Sequence, residues 1–235
     1  MAKIQDDILS YREMCDAENV QTLQRGMNFR LQPTCSVILM SQRTNAPYKD
    51  KVYEDNITIE YEGHDIPKTS YEINPKSIDQ PLILPSGRDA QNGLFKKAVD
   101  SYKYGKKEQE IVKVYEKIDS GVWSIKGFFQ LIDVKQVSDG KRNVFKFYLN
   151  PVLTKIFNRV ENLPFNRLIP SLVKVKVWER DRGKCGLCGA MENLHYDHEL
   201  PYARGGTSLI DKNIRILCAK CNLSKSDKIM MFACY

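Results

Sequence analysis

Four cysteines stand as two CxxC pairs, Cys185/Cys188 and Cys218/Cys221. Each pair can offer two thiolates to one tetrahedral ion, and four sulfurs leave no open position, which is the pattern of a structural zinc site. Between the pairs lie His195, Asp197, His198 and Asn213, with Asn222 directly after the last cysteine. A thiolate clamp needs none of these. An imidazole titrates in the range of a general base, and carboxylate and amide oxygens suit a hard cation. A plain zinc ribbon without chemistry and a reactive centre held between two metal clamps are both open at this point.

The elements that must position these groups can be read locally. ENLHYDHELPY alternates in part and ends in Pro201, so a strand running into a loop is expected. Arg204-Gly205-Gly206-Thr207 is turn chemistry, with two glycines that let backbone come close to a phosphate. Ile214, Ile216 and Cys218 alternate as a second strand would, and AKCNLSKSDKIMMF reads as a helix with Asn222, Lys225 and Ser226 on one face. So short a hairpin and helix make a poor core, so the metal acts as a staple. His195 stands two residues before Asp197 and faces the same way on a regular strand. A supporting role and a satisfied structural histidine are both open for it.

The order of these residues resembles the HNH endonuclease family, whose ββα-metal fold sets a strand carrying Asp-His, a loop, a second strand and a helix around one divalent ion. The resemblance implies hydrolysis of a phosphodiester bond, with His198 as the base that takes a proton from water. It implies Asp197 and Asn222 as ligands of Mg²⁺ or Mn²⁺, and Asn213 as the residue that holds the loop positioning His198. The sequence departs from the family name at the last position, which is Asn222 rather than histidine. Arg204, Lys225 and Lys228, with Arg180, Arg182 and Lys184 ahead of the first cysteine, are candidates for phosphate contacts; a solvated basic face is the alternative.

The whole chain sets the frame. Its 235 residues can hold one large domain or two small ones. The net charge is +7; residues 171–235 have 11 basic against 7 acidic side chains, so +4 of it lies at the end with the cysteines. That balance is compatible with nucleic acid without requiring it. No apolar run is long enough for a membrane span, and the first twenty residues lack a secretory core. Of seven cysteines, Cys15, Cys35 and Cys234 are scattered singly, which fits a reducing cytoplasmic setting rather than a disulfide framework. Ile4, Ile8, Tyr11 and Cys15 recur at helical spacing, so a helix from about Gln5 to about Asn19 is expected. SVILMSQ, EIVKVYEKI, GFFQLIDVKQV and NVFKFYLNP are apolar or β-rich runs, the last two joined by the turn SDGKR, and QNGLFKKAVDSYKYGK reads as a helix. The expected class is α+β.

NAPYKDKVYEDNITIEYEGHDIPK, DQPLILPSGRDAQNGLFKKA, VYEKIDSGVWSIKGFFQLIDV and RNVFKFYL resemble, in this order, blocks of the SET- and RING-associated (SRA, or YDG) domain, in the bacterial form fused to HNH nucleases. The resemblance implies a curved sheet or barrel that flips a modified cytosine into a pocket between aromatic rings. Carried onto this chain, Tyr48 and Tyr61 are the stacking rings and Asp50 accepts the cytosine amino group. Glu62 stands where eukaryotic relatives have threonine, and Asn92-Gly93 begins a helix behind the pocket. His64 reads as structural. The chain is then divided into an N-terminal helical segment (1–30), an SRA-like domain (31–150), a linker rich in proline (151–172) and a zinc-stapled nuclease domain (173–235).

Together these readings describe a modification-dependent DNA endonuclease with structural Zn²⁺ and catalytic Mg²⁺ or Mn²⁺, acting on double-stranded DNA that carries modified cytosine. One site cuts one strand at a time, so a homodimer with twofold-related sites fits an antiparallel duplex. The alternatives are a modified-DNA binding module whose HNH fold is inactive, and a nonspecific nuclease whose first domain serves another role.

Overall fold

The computed structural model describes residues 7–53, 58–67, 74–152, 168–200 and 206–225. It is mixed α+β, with a large sheet and a separate two-stranded hairpin. The chain forms two compact units, one of residues 21–115 and 127–154, the other of residues 1–20, 116–126 and 155–235. Among the described residues no helix is long and apolar enough to cross a membrane.

Most of the large sheet belongs to the first unit. β2 (Met27–Gln32), β3 (Cys35–Met40), β6 (Ile111–Asp119), β7 (Val122–Ser138), β8 (Asn143–Pro151), β5 (Ile59–Glu62) and β4 (Lys51–Val52) follow one another across it in that order. The three runs read as β-rich are β6, β7 and β8. The SDGKR turn joins the last two, with Asp139 accepting the N–H groups of Lys141 and Arg142. Val112, Val114, Phe129, Leu131, Phe145, Phe147 and Leu149 send alternate side chains to one face. There they meet α2 (Gln91–Lys103), whose Phe95 lies edge-on to Phe147 with ring centroids 5.9 Å apart. Gly93 sits where a Cβ would come within 2.2 Å of the Leu82 carbonyl oxygen, so the first turn of α2 lies directly on backbone.

The second unit begins differently from the sequence expectation. Instead of one helix from about Gln5 to about Asn19, β1 (Ile8–Ser10) pairs antiparallel with residues 122–124 of β7, and α1 (Tyr11–Ala17) starts at Ser10. The reason is a capping box. The Ser10 hydroxyl accepts the Glu13 N–H while the Glu13 carboxylate accepts the Ser10 N–H, which stops the helix on its N-terminal side. α3 (Ser171–Asp181) covers β9 (Leu194–His198) and β10 (Ile214–Cys218) through Val173 and Val177 packed on Leu194, Tyr196, Ile214 and Ile216. α4 (Ala219–Lys225) follows β10 without a break.

Candidate functional site

The four thiols converge. The Sγ atoms of Cys185, Cys188, Cys218 and Cys221 all lie within 4.8 Å of one another, and Cys188 and Cys218 approach to 3.6 Å. Four sulfurs around a tetrahedral zinc at about 2.3 Å stand about 3.8 Å apart, so the cluster has the size and donor set for that ion. Local backbone builds it. The Cys185 N–H bonds the Ala190 carbonyl and the Gly189 N–H returns to the Cys185 carbonyl, a tight loop that Gly189 completes at φ +73°. The Gly186 N–H bonds the Ile216 carbonyl, laying this loop on β10, where Cys218 ends the strand and Cys221 sits in α4. Burial raises the Cys185 thiol, but hydrogen bonds from the backbone of Cys218, Cys188 and Leu187 outweigh it and bring the group to about 6.

Between the clamps, β9 and β10 pair in antiparallel register with Asp197 opposite Arg215 and His198 opposite Ile214. The His198 Nε2 lies 2.9 Å from the hydroxyl of Ser208, which is buried. The Asn213 amide spans the loop between the strands. Its oxygen accepts the Leu200 N–H at 2.9 Å, and its nitrogen donates to the carbonyls of Leu200 and Thr207 at 3.2 and 2.9 Å. A Cβ on Gly206 would lie 1.9 Å from the Leu200 carbonyl oxygen, so only glycine allows this closure. His195 Nδ1 lies 2.7 Å from the buried carboxylate of Asp7, and the two residues also form a β-bridge that lays the N-terminal strand beside β9.

Two of the basic residues named as phosphate contacts, Lys225 and Arg180, are engaged by the protein itself. Lys225, expected to meet phosphate, is buried, and its ammonium bonds the Asp197 carboxylate and the His198 carbonyl. A buried ammonium needs a counter-charge, and Asp197 supplies it. Arg180 donates to the carbonyls of Asp211 and Ile214 at 2.7 and 2.6 Å, bracing the turn before β10. Arg182 ends α3 in the left-handed conformation at φ +53°. Arg204, Lys228 and Cys234 lie outside the described residues. Asn222 stands three residues before Lys225, so the two share one face of α4.

In the first unit a cavity of about 590 Å³ is lined by Arg25, Tyr48, His64, Asp65, Lys76 and Asn92 among others. Tyr48 and His64 stack with ring centroids 5.7 Å apart and planes 18° apart. A base held between two rings needs them about 7 Å apart, so the pair stacks on itself. The Lys76 ammonium sits 3.8 Å from the Tyr48 ring centre and 3.0 Å from the Asp65 carboxylate. Burial and the adjacent Asp65 carboxylate push the Tyr48 phenol up to about 12. Asn92, at the start of α2, accepts the His64 N–H and donates to the His64 carbonyl, both at 2.8 Å, and so fixes that residue from behind.

Of the residues assigned to a base pocket, the structure brings Tyr48 to this cavity and leaves three elsewhere. Tyr61 alternates with Ile59 toward the core of the sheet and is 1 % exposed, with its hydroxyl 3.5 Å from His64 Nε2. The Asp50 carboxylate accepts the N–H groups of Ser41 and Glu62 at 2.9 and 3.0 Å, and burial raises it to about 7. Glu62 accepts the Lys49 N–H and pairs with Lys146 at 3.1 Å. The aromatic partner that the sequence missed is His64. A Gly-His after an alternating strand was the available signal, and nothing short-range marked Ser208 or Asp7.

Residues 185–228 match the family model described as HNH endonuclease. No curated protein matches the sequence. Among solved structures, the SRA domain of SUVH5 with hemimethylated CG DNA is 17 % identical, with 64 % of this chain and 89 % of that one covered at a TM-score of 0.44. The same domain with methylated CHH DNA is 14 % identical, covering 65 % and 90 % at 0.46. The type IV phosphorothioation-dependent restriction endonuclease ScoMcrA is 14 % identical, covering 95 % of this chain and 55 % of that one at 0.42.

Proposed function

We propose that the chain is a DNA endonuclease whose C-terminal module (173–235) hydrolyses phosphodiester bonds and whose N-terminal module (31–150) reads a modified cytosine. The observation that carries the proposal is the match of residues 185–228 to the HNH endonuclease model, on a segment where one thiol cluster clamps a hairpin and helix carrying Asp197, His198 and Asn222. A zinc ribbon alone has no use for a loop braced at both ends by Asn213 beside a histidine.

In this reading Cys185, Cys188, Cys218 and Cys221 hold structural zinc. Asp197 and Asn222 are oxygen donors that fit Mg²⁺ or Mn²⁺, which would supply charge stabilisation at the scissile phosphate when bound. His198 accepts the proton of the attacking water, and its bond to Ser208 sets the ring. The recognition half rests on the order of the four SRA-like blocks and on the cavity at Tyr48 and His64, with Asp65 and Asn92 as polar groups for a base edge. Opening the Tyr48–His64 stack, or moving Lys76 off Tyr48, would expose a ring face worth roughly 1–3 kcal/mol of stacking. Two chains would cut the two strands.

The test is a cleavage panel on one plasmid sequence carrying unmodified, methylated, hydroxymethylated or glucosylated cytosine, with Mg²⁺, Mn²⁺ or EDTA. Cutting confined to a modified substrate, lost with EDTA and with His198→Ala, is expected. Excess His198→Ala mixed with parent should leave nicked circles instead of linear product. Binding without cutting would point to an inactive DNA-binding module, and equal cutting of all substrates to a nonspecific nuclease.

A further inference from the structure

Lys225 ends α4 three residues after Asn222, and its side chain is 1 % exposed. Its ammonium donates to Oδ2 of Asp197 and to the carbonyl oxygen of His198. Taking an ammonium out of water is strongly unfavourable unless charge and hydrogen bonds replace the solvent, and this pair of acceptors does so. The consequence runs toward the hydrolytic site. With Oδ2 engaged, the rotation of the Asp197 carboxylate is set, so a divalent ion drawn to Asp197 would meet a carboxylate already held in place. The second bond holds the backbone at the end of β9, under the residue read as the base. The buried charge also acts on its own account, because a divalent cation on Asp197 would stand next to a like charge in a region poorly screened by water.

We propose that Lys225 is a positioning residue of the hydrolytic site: it orients Asp197 and the strand end at His198 for cleavage, and it lowers the site's affinity for the divalent cation. The proposal rests on the nuclease reading above. It also accounts for why this lysine, unlike a phosphate contact, is buried on the protein's own carboxylate.

The experiment uses the zinc-loaded full chain as parent, Lys225→Met and Lys225→Arg, with Asp197→Asn to subtract binding elsewhere. Free Mn²⁺ is read by electron paramagnetic resonance during titration. Lys225→Met keeps length and removes charge, so Mn²⁺ should bind roughly tenfold tighter. At saturating Mn²⁺ its kcat on a cleavable duplex should fall on the order of tenfold or more, with KM for DNA little changed. Lys225→Arg should move both values back toward the parent. A lysine that only stabilises the fold would lower Tm and leave Mn²⁺ affinity where it was; that result overturns the proposal, as does a raised KM with intact kcat.

Should Lys225→Met not fold, the pair is tested by stability. Asp197→Asn leaves the ammonium buried without its counter-charge, whereas Lys225→Met combined with Asp197→Asn removes both charges. The double variant must then be the more stable of the two, and equal or lower stability overturns the proposal. A parent that binds Mn²⁺ but cuts no duplex overturns the nuclease reading, while the Mn²⁺ titration still decides the role of Lys225. A parent that binds no Mn²⁺ overturns both.

Discussion

His64 reaches the cavity as a neutral ring, and its protonation couples the pocket to pH. Burial, more than offsetting the nearby Asp65 carboxylate, holds its imidazole down at about 4, whereas an unfolded chain takes up that proton near pH 6.5. Above pH 6.5 both states are neutral and the residue has no effect. As pH falls from 6.5 toward 4 the unfolded state binds a proton that the folded state refuses, so His64 destabilises the fold by about 3 kcal/mol at the limit. Asp50 works the other way. Burial raises it to about 7, so its contribution is fully present below the unfolded value near 3.9 and is lost as pH rises through 7. We expect His64→Gln to be more stable than the parent at pH 4.5, relative to any difference at pH 7.5, in denaturant unfolding at the two pH values. An offset that is the same at both would mean that the ring is not held neutral.

The loop between β9 and β10 is the element on which the candidate site turns. Asn213 bonds backbone at both of its ends, and Gly206 passes the Leu200 carbonyl at a distance no side chain permits. Gly206→Ala must therefore push the loop away from Leu200. The displacement reaches Ser208, two residues on, and with it the hydrogen bond to His198. Cleavage should fall on the order of a hundredfold, as expected for a misplacement of about 1 Å at a catalytic group. Zinc content should stay at the parent value, because the thiol cluster is built from other backbone contacts. Single-turnover cleavage and zinc stoichiometry measured on the same preparation check both halves, and parent-rate cleavage by Gly206→Ala would remove the loop from the account.

At the scale of the whole molecule, the compact units do not follow chain order. Residues 1–20 and 116–126 group with 155–235. Within that unit Glu116, Lys126 and Lys174 are buried together: Lys126 pairs with Glu116 at 3.2 Å and bonds Ser171, and Lys174 bonds the Ser124 hydroxyl at 3.1 Å. Burial pushes the Glu116 carboxyl up, but the Lys126 and Lys174 ammoniums prevail and hold it below its usual range. A fragment of residues 155–235 keeps Lys174 and loses both Glu116 and Ser124, besides the Asp7 partner of His195. Even with zinc bound it should bind a hydrophobic dye and melt without a cooperative transition, whereas the full chain melts cooperatively. A sharp calorimetric transition from the zinc-loaded fragment would show that these contacts are dispensable.

Short-range pattern carried much of this into view from the sequence alone. Two CxxC spacings named the thiol cluster, since three-residue turns bring their own sulfurs together wherever they lie. β-rich composition marked β6, β7 and β8 and alternation marked β10, while Asn213 as the brace of a loop came only from the resemblance to HNH nucleases. What the sequence left open depended on which element covers which side chain. The alternation of β5 says that Ile59 and Tyr61 share a face but not that this face is the core, so Tyr61 read as a ring for a ligand and His64 as a bystander. Helical spacing put Asn222 and Lys225 together, yet only the packing of α4 on β9 brought the ammonium onto Asp197 and out of solvent. Asp7 and His195 stand 188 positions apart, and no local propensity encodes such a pair. Register and burial are set by the sum of contacts across the fold, and those are decided only when the chain is closed.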